Sequence, residues 1–250
     1  ALGGQLAFPV NMSINTGAAH FTPLPGDQTK VKTTDTIKLD VGVHVDGYIG
    51  DNARTIGPEK ELIKASADAL NNAIKICKAG IKVCEIGRVV EETITKAGFN
   101  PIRNLTGHGL APYELHSGVT IPNYDNGDEN TLKAGDVIAI EPFATNGIGM
   151  IRESSPSGIY RLVNNKPVRL GRDIVQYITQ QHQSMPFVAR WITDKFPSYK
   201  VRFLLNNLEK NESIHQYAKL VEKQDGLVAQ TEHTVLITDD GAEVLTKDDE

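Results

Sequence analysis

Four acidic residues of this chain stand where their neighbours are apolar, and a histidine stands between glycines. The stretch "KLDVGVHVDGYIGD" from Lys38 to Asp51 reads as two strands joined by an Asp-Gly turn, yet Asp40 and Asp51 fall inside the strands. A two-residue turn at Asp46-Gly47 is the favoured hairpin connection. It sets Val45 opposite Tyr48 and Asp51 opposite Gly42, with Asp40 two residues along on the same face. The two carboxylates are then diagonal neighbours, about 7–8 Å apart at the backbone. A one-residue slip would separate them. Glu141 follows an apolar run in "VIAIEPF", Glu232 interrupts "LVAQTEHTVLI", and His108 lies in "NLTGHGL", where bare glycine backbone lets a ligand approach.

Carboxylates that converge on one sheet face repel each other. Either one holds a proton, or a cation sits between them. Buried without compensation, each would cost several kcal/mol. Two divalent cations cancel the charge of Asp40, Asp51, Glu141 and Glu232. Two metals roughly 3.5–4 Å apart, bridged by carboxylates, form a hydrolytic centre. An imidazole ligand such as His108 shifts the preference from Mg or Ca toward Mn, Fe, Co or Zn. Taken singly, each acid reads as a hydrogen-bonded strand residue and His108 as a turn histidine. Their joint occurrence points to a metal.

The elements that must position these groups follow from periodicity. Residues 1–57 read as strand and turn, with "LAFPVNMSIN" a strand carrying its Pro near an edge. Apolar positions at helical spacing predict a helix over 59–79 and a second over 84–97, closed by Gly98. "DVIAIEPFAT" and "LVAQTEHTVLIT" read as single strands. From Ser154 to about Gly226 the texture changes to short helical patterns: "IVQYITQQ", "PFVARWITDKF", "VRFLLNNLEKN" and "IHQYAKLVEK". A compact helical insert between two strands of a main domain is expected there.

The 250 residues suffice for one large domain with such an insert, and 40% hydrophobic with 23% charged is globular composition. No apolar run is long enough for a membrane helix, and the first ten residues carry no signal-peptide pattern. Cys77 and Cys84 are too few for a disulfide scaffold and fit a reducing, cytoplasmic compartment. The net charge of −5 argues against a general nucleic-acid binder, so no DNA partner is expected. Residues 158–226 nevertheless hold eleven Lys and Arg against six Asp and Glu.

The stretches "AFPVNMSINTGAAHFTPLPGD", "KLDVGVHVDGYIGDNART", "NPIRNLTGHGLAPYELHSGVTIPN", "DVIAIEPFAT" and "VAQTEHTVLIT" cover nearly the whole chain. In residues and order they resemble the type II methionine aminopeptidases. The resemblance implies an α+β "pita-bread" fold, a curved antiparallel sheet backed by helices, in 1–156 and 227–250. Residues 157–226 would form the small, winged-helix-like insert of type II. It implies two divalent metals (Co, Mn, Fe or Zn) held by Asp40, Asp51, His108, Glu141 and Glu232. The implied reaction removes the initiator methionine from nascent peptides when the second residue is small. Hydroxide between the metals attacks the scissile carbonyl, and Glu141 shuttles the proton. His116 matches the residue that stabilises the tetrahedral intermediate, and His20 the one that contacts the scissile peptide. Phe8, Leu115 and Phe143 match the methionine pocket, with Tyr113 and Ile121 as weaker candidates. His44 and His233 match no catalytic position.

The resemblance also implies a helical leader before "GGQLAFPVN", which a chain starting at Ala1 does not carry, so one side of the sheet is expected to lack its helical cover. A cytoplasmic monomer is expected, with transient ribosome contact through the insert, where Arg169, Arg172 and Lys200 contribute positive charge. Three rivals remain: a proline-specific peptidase of the same fold, a non-catalytic ribosome- or RNA-binding relative, and a two-metal nuclease. The insert, with "FPVNMSIN" and "AAHFTP", favours the methionine enzymes over the first. The complete ligand set counts against the second. His108, and the lack of a broad basic groove, count against the third.

Overall fold

The computed structural model of the chain describes residues 3–164 and 171–247. Its main feature is a nine-stranded antiparallel sheet. The strands run in the order Gln5–Leu6, Ile37–Val45, Tyr48–Ile56, Glu232–Ile237, Val137–Ile140, Thr106–Ala111 and Glu114–Pro122. Asn11–Ile14 and Ala242–Val244 attach beside this path. The hairpin has the expected register, pairing Val45 with Tyr48 and Gly42 with Asp51. Asp46 and Gly47 both take positive φ, 50° and 91°, as the tight turn that matches strand twist requires.

Two helices, Lys60–Ile76 and Val83–Lys96, cover one face of this sheet. The first buries Leu62, Ala65, Ser66, Ala69, Leu70 and Ala73, spaced at threes and fours. The second starts where the Glu85 carboxylate accepts the Lys82 N–H and buries Ile86, Val90 and Ile94. These side chains meet Ile121, Ile138, Ile140 and Val235 of the sheet in the principal core. Removing one, as in Leu70→Ala, costs about 2–5 kcal/mol. On the hairpin, the face opposite the acids leaves Leu39, Val43, Val45 and Tyr48 exposed.

Three strands expected to be continuous are broken. "LAFPVNMSIN" divides at Pro9 into Gln5–Leu6 and Asn11–Ile14, because proline cannot donate to a ladder. "DVIAIEPFAT" divides at Glu141-Pro142: Val137–Ile140 stays in the main sheet, and Phe143–Thr145 joins a three-stranded sheet with Val228–Gln230 and Asn100–Pro101. "LVAQTEHTVLIT" divides at Thr231 in the same way. The chain thus changes sheets immediately beside Glu141 and Glu232.

The insert is not wholly helical. Arg172–His182, Ala189–Thr193 and Ser198–Lys210 are helices around a core of Ile174, Ile178, Phe187, Ile192 and Leu204. "IHQYAKLVEK", expected as a helix, is instead the strand Ile214–Glu222, paired with Ile151–Leu162 and with Gly17–Ala19. Ile214 packs into the insert core and Leu220 against Phe143 and Val228, so the strand serves two packed surfaces that a helical reading misplaces. "PFVARWITDKF" likewise begins as the strand Phe187–Val188. Ile151–Leu162 runs unbroken past residue 157, and Arg169 lies outside the described residues.

Candidate metal centre

The hairpin ladder decides where Asp40 and Asp51 point. Asp40 pairs with Ala53 and Asp51 with Gly42, so both carboxylates leave the same face. His108 comes from Thr106–Ala111, next to Ala139 of the neighbouring strand. Its flanking glycines serve the strands rather than a ligand. A Cβ on Gly107 would lie 2.2 Å from the Ala139 carbonyl oxygen, and one on Gly109 would lie 2.1 Å from that of Ser117. Glu141 and Glu232 arrive from the two sheet-switching points.

These five side chains converge. Asp51, His108 and Glu232 each bring a ligand atom within 4.8 Å of the others. His108 Nε2 lies 3.7 Å from Glu141 Oε1 and 3.9 Å from Asp51 Oδ2. Gln230 Nε2 donates to Glu141 Oε2 at 3.2 Å and to Glu232 Oε2 at 3.4 Å. Burial pushes the Asp40 carboxyl up to about 7, against the Gln230 amide that favours its charge. Burial and then the Asp40 charge raise Asp51 well above its ordinary range. Burial, then Asp40 and Asp51, do the same to Glu141. For Glu232 the causes are burial, then Asp51, Glu141 and Asp40. Burial takes the His108 imidazole down to about 4, leaving it neutral with a lone pair to give.

Such a cluster is under-neutralised without a cation. Asp40 Oδ1 and Asp51 Oδ1 are buried without a hydrogen-bond donor among the described residues, a state that costs folding energy unless a partner is supplied. Buried carboxylate oxygens and a neutral imidazole facing one space are a donor set suited to a divalent transition ion.

The five groups border a cavity of about 260 Å³, whose walls also include His20, His116, Phe8, Leu115 and Phe143. Every residue expected for metal, catalysis and pocket thus borders one space, except the weaker candidates. Tyr113 packs over Gly47 and meets His44 edge-on, and Ile121 is in the principal core. The His116 ring stands 4.5 Å from that of His108. Burial lowers its pKa, an effect its solvent-open edge moderates. His20, at a positive φ of 65°, donates Nδ1–H to the Ala218 carbonyl at 2.9 Å. His233 bonds Asn52 and Thr246, and His44 Nδ1 accepts the Gly47 N–H.

Sequence reasoning missed Gln230 and the Tyr217 and Leu220 walls of the cavity. Gln230 stands two residues before Glu232, where an amide beside buried acids was a usable signal. Tyr217 and Leu220 were hidden by the helical reading of their strand.

Residues 2–239 match the model of a family described as metallopeptidase family M24. The chain is 47% identical over 251 aligned positions to the methionine aminopeptidase of Thermococcus onnurineus, covering 98% of this chain and 85% of that relative. The crystal structure of methionine aminopeptidase from Thermotoga maritima superposes with a TM-score of 0.64 at 27% identity, covering 96% of this chain and 74% of that one. The structure of a thermophilic Arx1 superposes with a TM-score of 0.81 at 17% identity, covering 99% and 77%, which is a likeness of fold alone.

Proposed function

Because the chain belongs to metallopeptidase family M24, among its methionine aminopeptidases, we propose that its cavity positions a peptide N-terminus for hydrolysis at two divalent cations. The architecture is the pita-bread fold, and the activity is metal-dependent removal of N-terminal methionine. Asp40, Asp51, His108, Glu141 and Glu232 would hold the metals, which are Co, Mn, Fe or Zn by donor type. When bound, such ions bring the pKa of water toward neutrality and polarise the scissile carbonyl. The observation that carries this reading is the convergence of four acids, Asp51 and Glu232 buried and Asp40 and Glu141 half-buried, and an imidazole on one cavity that Phe8, Leu115 and Phe143 also line.

The chain's own residues supply the rest. Glu141, oriented by Gln230, accepts a proton from the attacking water and passes it to the leaving amine. His116 donates to the oxygen on which charge develops in the tetrahedral intermediate. His20, with Nδ1–H committed to Ala218, turns a bare Nε2 to the cavity, where it accepts the scissile N–H. Phe8, Leu115 and Phe143 bury the methionine side chain, worth about 1.5–3 kcal/mol. The same reading expects a small second residue after the methionine.

The substrates are the N-termini of nascent peptides, met by a cytoplasmic monomer. No helix among the described residues is long and apolar enough to cross a membrane. The basic insert, with Lys200 exposed on its last helix, would support transient ribosome contact. Loss of that contact with rising salt, and on charge reversal of Arg172 and Lys200, is expected; salt-insensitive association would contradict it.

The metal-loaded chain should release methionine from Met-Ala-Ser, and chelation should stop the release. Cleavage of X-Pro peptides with Met-Ala-Ser left intact would instead indicate a proline-specific peptidase.

A further inference from the structure

Beside the cavity stands a positive charge that no group among the described residues answers. The ribbon formed by Ile151–Leu162 and Ile214–Glu222 pairs Arg161 with His215 and Leu162 with Ile214. Side chains alternate along it. Tyr160, Leu162 and Ile214 turn into the insert core, while Ile159 and Tyr217 line the cavity. By that alternation Arg161 and His215 share the cavity-side face, one step further out, and both are exposed. The His215 ring meets Tyr217 edge-on at 5.1 Å, and Tyr217 meets His20 at 5.0 Å. The Arg161 charge is felt at both His116 and Tyr217. Glu153 acts on His20 but on neither of those two. Among the described residues no ion pair or side-chain hydrogen bond engages the Arg161 guanidinium.

We propose that Arg161, with His215 beside it, reads the substrate beyond the scissile bond and favours an acidic side chain at its third or fourth residue. The inference rests on the aminopeptidase reading above. An extended peptide and the ribbon advance by the same distance, about 3.3 Å per residue. With His20 at the scissile bond, a side chain one or two residues past the second position comes level with the Arg161–His215 pair. A guanidinium takes a carboxylate through two parallel hydrogen bonds. A cation at an open rim also repels substrates of like charge.

The test uses the metal-loaded chain and three peptides: Met-Ala-Glu-Glu-Ser, Met-Ala-Ser-Ser-Ser and Met-Ala-Lys-Lys-Ser. For each enzyme, kcat/KM is referred to its own value on the uncharged peptide. The wild type should prefer the acidic over the basic peptide by about fivefold, mainly through KM, and less at high salt. Arg161→Ala should flatten the preference, and Arg161→Glu should invert it. Equal rates on all three peptides in the wild type, or a wild-type preference retained in Arg161→Glu, would overturn the inference alone. Release of methionine from none of the three would overturn the aminopeptidase reading and this inference with it.

Discussion

The Thr231 N–H donates to the Pro142 carbonyl at 3.4 Å, joining the two points where neighbouring strands leave the main sheet. Each break stands beside a metal-binding candidate, Glu141 on one strand and Glu232 on the other. Ser66, buried in the first covering helix, closes the joint: its Oγ donates to the Pro142 carbonyl at 2.8 Å and lies 3.0 Å from Thr231 Oγ1. The helix layer therefore helps aim two carboxylates on the far side of the strands.

Ser66→Ala should lower stability by about 0.5–1.5 kcal/mol, since the Pro142 carbonyl loses the nearer of its two donors. Chemical denaturation checks this. A change within 0.5 kcal/mol would mean that the joint holds without the hydroxyl.

Gln230→Leu should weaken metal binding by about 10–100-fold, the usual effect of removing a group that orients ligands. The amide bridges Glu141 and Glu232, and leucine cannot replace either contact. Calorimetric titration of metal into the chelated protein gives the affinity; wild-type affinity in the variant would remove Gln230 from the site.

Gly42→Ala should raise KM for methionyl peptides and cost about 1–3 kcal/mol of stability. A Cβ there would lie 2.1 Å from the Phe8 ring, forcing the ring from the proposed methionine pocket. An unchanged KM would place Phe8 outside the pocket.

Stability of the metal-free protein should fall as pH rises. Asp40 goes from an ordinary 3.8 to about 7 in the fold, through burial, and Asp51, Glu141 and Glu232 are also raised. The folded state thus keeps protons that the unfolded chain releases. Its advantage is full below the unfolded pKa and is lost as pH climbs through the folded one. Bound cations take the place of those protons. The Tm gap between loaded and chelated protein should widen from about pH 5 to pH 8; a constant gap would contradict it.

Much of this site was legible because single residues break local rules. Asp40 and Asp51 contradict an apolar hairpin, and the Asp46-Gly47 turn fixes their register from four residues of local chemistry. The sheet changes at Pro142 and Thr231 were not legible: proline signals a break but not the sheet the chain joins next. The strand Ile214–Glu222 was misread because its apolar positions suit either period over so short a span. Its partners, at Ile151–Leu162 and Gly17–Ala19, are remote in sequence. The reason for glycine at 107 and 109 lay in the carbonyls of Ala139 and Ser117, which only the assembled sheet brings near.

Metal content after dialysis tests the central claim most directly. Elemental analysis should find two divalent ions per wild-type chain, and fewer in Asp51→Asn and in Glu232→Gln, with methionine release falling in step. Equal metal in all three proteins, or none in a wild type that still cleaves Met-Ala-Ser, would contradict it.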